Sequence, residues 1–143
     1  MKPVLMTLAG GLATGLASLS VAPAAAELTN RDYLIQAYEM EYAFQGAALH
    51  DPDIAAGYAP YFQCLADVVI ATLNESDLAT YTYIKYKLAE IDEARSRLVL
   101  SDKERAELYA EKLSEARITP NYLEWFEETE AAIESTGELD NCP

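Results

Sequence analysis

The residues able to do chemistry in this chain are few in kind: one histidine, two cysteines and a large surplus of carboxylates. His50 stands beside Asp51 and close to Asp53, a trio with the donors to hold a cation. The same residues read more simply as a helix-terminal His favoured by the helix dipole, followed by an Asp-Pro-Asp turn, and the pattern fits that reading better. One histidine builds no His-based triad and no multi-histidine metal site. Glycine-rich phosphate loops, haem-attachment cysteine pairs and the Glu-x-x-His pattern of di-iron bundles do not occur. Carboxylates are numerous enough to supply an acid–base pair of the glycosidase kind, but their abundance singles out no pair. The sequence therefore predicts no catalytic residue, no cofactor, no metal and no enzyme activity.

Cys64 and Cys142 are the only thiols, separated too widely for a C-x-x-C redox motif. Their pairing is expected because the start of the chain reads as an export signal. Met1-Lys2-Pro3 precedes an apolar run from Val4 to Val21, and Ala22-Pro23-Ala24-Ala25-Ala26 offers a small-residue cleavage site before Glu27. An exported chain meets an oxidising compartment, where two thiols pair. Residues 1–26 are thus expected to be a cleaved secretory signal, and 27–143 one domain, periplasmic or secreted. No later stretch is apolar for long enough to insert stably in a membrane.

The full chain carries a formal charge of −14. Loss of Lys2 with the signal would leave nine basic against 24 acidic residues, about −15. Nucleic acid and anionic lipid are poor partners for such a surface. The charge is also unevenly laid out. Residues 32–77 hold eight acids and no Lys or Arg, 85–117 hold eight of each sign, and 118–143 hold seven acids and no base. A cationic ligand or a basic protein is the kind of partner this layout fits.

Helical spacing recurs throughout, which predicts an all-α fold. A first helix is expected from Asn30 to Leu49, with Thr29 as cap and Leu34, Tyr38, Tyr42 and Leu49 inward. His50 to Ala59 reads as a loop or short turn, and Pro60 as the first turn of a second helix ending near Asn74. A third helix begins at a cap on Asn74 or Ser76 and carries Leu78, Tyr81, Ile84, Leu88, Ile91 and Leu98 as its stripe, interrupted by Arg95. Ser101 to Glu104 is a capping box that opens a fourth helix running to about Arg117, with Ala106, Tyr109, Leu113 and Ala116 inward. Thr119-Pro120 opens a fifth, with Tyr122, Leu123, Phe126 and Ile133 inward and Gly137 after its end.

Short connections make these elements an up-and-down antiparallel bundle of four to five helices, closed by one disulfide. With alternating directions, the start of the second helix and the end of the fifth fall at one end of the bundle. Cys64 and Cys142 are therefore expected to meet there.

Two surfaces stand out as candidates for binding. Glu124 with Glu128, and Glu130 with Glu134, are like charges four apart, Glu127 joins them, and no base lies in that helix to offset the repulsion. Tyr83 and Tyr86 lie off the third helix's stripe beside Lys85 and Lys87, and tyrosine combines a large ring with a polar tip. The leading expectation is a small exported, acidic, non-enzymatic helical binding protein of the bacterial envelope, an adaptor or neutraliser of a basic partner. Alternatives are a periplasmic chaperone triggered by acid and a small carboxylate-dependent hydrolase.

Overall fold

The computed structural model describes residues 27–45 and 52–143. The expected signal, Leu49, His50 and Asp51 lie outside the described residues. Five helices follow one another: α1 (Asn30–Gln45), α2 (Pro52–Thr72), α3 (Glu75–Ser96), α4 (Asp102–Glu115) and α5 (Pro120–Ser135), then a 3-10 turn (Glu138–Asn141). None of them is long and apolar enough to cross a membrane.

Local chemistry sets the helix starts. Thr29 and Asp32 cap α1 reciprocally: Asp32 N–H donates to Thr29 Oγ1 at 3.2 Å and Thr29 N–H to Asp32 Oδ2 at 2.9 Å. Asn74 Oδ1 accepts from Asp77 N–H at 2.8 Å to open α3. The Ser101–Glu104 box forms with both of its bonds, and Thr119 Oγ1 accepts from Tyr122 N–H at 3.3 Å before Pro120. The helix ends are as local. At the end of α4, Ile118 N–H reaches Leu113 O and Arg117 N–H reaches Ser114 O, a Schellman pattern with Arg117 at φ 59° where glycine is usual. Gly137, at φ 75°, fills that role after α5.

The second helix departs from expectation. It starts at Pro52 and runs through Gly57 and Pro60, so the segment read as a loop is helical from Pro52 and Pro60 is interior. Pro52 takes the first helical position, where a missing N–H loses nothing. Pro60 is tolerated because the carbonyl it cannot serve belongs to Ala56, and both residues are exposed, so water can take the vacant acceptor. Cys64 consequently lies in mid-helix and not in the first turn. Smaller departures occur at Leu98, which falls beyond the end of α3 and is exposed, at Ala106, which faces solvent, and at Tyr122, expected inward but 52% exposed in the first turn of α5.

The helices alternate in direction along the chain. Arg31 pairs with Asp67 at one end of α1 and Tyr42 meets Tyr58 and Tyr61 at the other, so α2 runs against α1. Leu73 and Asn74 then reverse the chain into α3. The most extensive packing is nevertheless between α1 and α3, with α2 on α1 and with α4 and α5 both against α3. Small buried residues on α1 and α3, Ala37 and Ala89, suit such close packing. The core runs through Leu34, Tyr38, Phe62, Leu65, Val69, Tyr81, Ile84, Phe126 and Ile133. Full burial of Leu34 or Ile133 stabilises by about 1.5 to 3 kcal/mol relative to exposure. Helix α4 buries no residue completely. It is held by side contacts: Arg95 lies 4.7 Å from the Tyr109 ring centre, and Tyr83 OH donates to Ala116 O at 2.8 Å. The 3-10 turn packs against both α2 and α5.

Candidate functional site

Cys64 and Cys142 are bonded, with their Cα atoms 5.7 Å apart. Both are half-buried, and Cys142 packs with Leu139 against the core, so the crosslink fastens the tail to the middle of α2.

The structure divides the α5 glutamates. Phe126 and Ile133 face the core, which turns Glu124, Glu127, Glu128 and Glu134 to solvent, all four exposed. Among the described residues, no ion pair engages any of them. Glu130 is set apart from this group. It is half-buried, accepts from Tyr81 OH at 3.2 Å and pairs with Lys85 Nζ at 3.4 Å. The base that the sequence of α5 lacks is thus supplied to Glu130 by α3.

Lys85 is the centre of a network that sequence reasoning missed. Its ammonium lies 2.8 Å from Glu41 Oε1 on α1, within reach of Glu130 on α5, and 5.1 Å from the centre of the Tyr38 ring. Tyr81 stacks on Phe126 at 4.8 Å while its hydroxyl serves Glu130. Burial opposes the Lys85 charge, but Glu41 and Glu130 more than offset it and hold its pKa above the ordinary lysine value. Burial pushes the Tyr38 phenol up to about 12, with Lys85 working against that rise, and pushes Tyr81 up as well. The signal was in the sequence: Lys85 falls four residues after Tyr81 and three before Leu88, on the inward stripe itself. The network joins α1, α3 and α5, with the lysine largely buried and both glutamates keeping some surface, so it positions helices.

Tyr83 and Tyr86 come together in one groove between α1 and α3, of about 410 Å³, which Tyr33, Thr82 and Lys87 also line. Tyr86 meets Tyr33 edge-on at 5.1 Å. Tyr83 is 41% exposed, but its hydroxyl is committed to Ala116 and Lys87 lies 5.9 Å from its ring centre. These tyrosines are therefore partly spent on joining helices.

Comparison of the chain with known protein families, characterised proteins and solved structures finds no match.

Proposed function

We propose that this chain is a non-enzymatic binding protein of an oxidising, extracytoplasmic compartment of the bacterial envelope, and that it engages a basic protein partner through the outward face of α5. One observation carries this reading: Glu124, Glu127, Glu128 and Glu134 are exposed on a helix without Lys or Arg, and among the described residues none has an ion pair. Neighbouring like charges repel, and a basic surface docked against them relieves that repulsion while steering the encounter. The disulfide supports the compartment. Capture from envelope extract at low and high salt tests the reading, with wild type beside a variant carrying Glu124→Lys, Glu127→Lys, Glu128→Lys and Glu134→Lys. A basic protein should bind wild type at low salt, release at high salt and ignore the variant. Capture that neither salt nor charge reversal alters overturns the reading.

A second reading, an acid-triggered chaperone, draws on the placement of the depressed carboxylates. Hydrogen bonds from Thr29 hold Asp32 below its ordinary pKa, those from Ser101 do the same for Glu104, and Arg31 does so for Asp67. A depressed carboxyl contributes stability above its unfolded value of about 4 and loses it as pH falls through the folded value. All three groups act at helix starts or between α1 and α2, so acid loosens those places first. Suppression of client aggregation at pH ~3 is the activity this reading requires, and its absence rules the reading out.

A further inference from the structure

A cavity of about 560 Å³ opens between α1 and α2, lined by Tyr42, Asp53, Gly57, Tyr58, Tyr61 and Pro143. Its aromatic wall is continuous. The Tyr42 ring centre lies 6.1 Å from that of Tyr58 and 5.9 Å from that of Tyr61, and Phe62 backs all three. Tyr42 OH donates to Tyr61 OH at 3.2 Å, which fixes the two phenols relative to each other. That hydrogen bond, with burial and the neighbouring Tyr61, Glu41 and Tyr58, pushes Tyr42 up to about 12, so it stays a neutral phenol at physiological pH.

Elsewhere this molecule covers tyrosine rings with its own cations: Lys85 over Tyr38, Lys87 over Tyr83 and Arg95 over Tyr109. Among the described residues no Lys or Arg lies over Tyr42, Tyr58 or Tyr61. None is near in sequence either, because 32–77 contains eight acids and no Lys or Arg. The space beside Gly57 is open, since a Cβ there would meet nothing within 4 Å.

We infer that this cavity binds a small quaternary ammonium compound. Ring faces carry negative quadrupole charge and attract cations, and three tyrosines in mutual contact line one side of this space. The carboxyl side chain of Asp53 lines the same space. A methylated ammonium suits such a wall better than a primary one, because its methyl groups pack on rings and it gives up its water more readily. The cavity volume lies within the range of small-molecule sites. The site uses none of the α5 glutamates, so it stands or falls independently of the binding face proposed above.

The experiment titrates the intact, oxidised full chain with choline chloride and with its neutral isostere 3,3-dimethylbutan-1-ol, followed by calorimetry and by NMR of the tyrosine rings. Choline should bind saturably, with the isostere about tenfold weaker or worse. Tyr58→Phe keeps the rings and should retain binding, whereas Tyr58→Leu should weaken it about tenfold. Gly57→Leu is the variant safest for the fold, because leucine is the better helix former and its side chain grows into the open space. It should abolish binding. Failure of choline to saturate by ~10 mM overturns the inference. Equal binding of the isostere, or Gly57→Leu binding like wild type, overturns it as well.

Discussion

Lys85 shows how much a single side chain can decide. Lys85→Ala removes the ammonium from between Glu41 and Glu130 and leaves two carboxylates facing one another across a partly buried space. The expected loss is about 2 to 3 kcal/mol in urea denaturation, below the fully buried range because both glutamates keep some surface. Replacing the whole set, with Lys85→Met, Glu41→Gln and Glu130→Gln together, should return stability to within about 1 kcal/mol of wild type. A triple variant as damaged as Lys85→Ala would mean that packing, and not charge, makes the site sensitive. Legibility at this scale followed distance along the chain. Thr29 and Ser101 were readable as caps, and Asn74 as one of two candidates, because each partner lies three residues away. The partners of Lys85 lie 45 residues downstream and on another helix upstream, so the lysine looked like any solvated charge.

Among the elements, α4 is the one most dependent on its ends. With no fully buried residue, it draws on its capping box, its Schellman close and the contacts of Tyr109 and Ala116 with α3. Ser101→Ala should therefore cost about 1 kcal/mol. Hydrogen exchange should show the loss confined to α4, with α1 and α3 still protected. Uniform loss of protection would show that α4 unfolds only with the whole bundle. The second helix was the element hardest to read. Two prolines and a glycine punctuate it, and Pro60 looked like a start because interior proline is normally excluded. The true start, Pro52, follows the same rule, so the rule alone does not choose between the two prolines. The expected fold class was nonetheless right, since helical spacing survives an error in one boundary. What spacing left out was the neighbour order: consecutive helices alternate in direction, yet α1 packs most extensively on α3.

For the whole molecule, pH and redox state are the levers. Tyr38 and Tyr42 are pushed up to about 12, and Tyr81 and Lys85 are raised as well. A raised group contributes its full stability below its unfolded pKa, about 10 for these residues, and loses it as pH climbs toward the folded value. The bundle should thus weaken between pH ~10 and ~12. Tyrosinate absorbance should show these phenols ionising late, together with loss of helical circular dichroism. Ten tyrosines titrating as one near pH ~10 with the helices intact would contradict this. Removing the crosslink with Cys64→Ser and Cys142→Ser should lower stability by about 4 to 5 kcal/mol on the chain-entropy account, read from the denaturation midpoint. A loss below about 1 kcal/mol would mean that the open chain already holds its tail in place. That crosslink also imposes an order of assembly. Cys64 is synthesised 78 residues ahead of the sulfur it bonds, and α3, α4 and α5 must all be laid down in between. During that interval it is a thiol without its mate, open to exchange with any other disulfide it meets. The bond therefore acts as a late seal: it closes correctly only over an arrangement that weaker forces have already found.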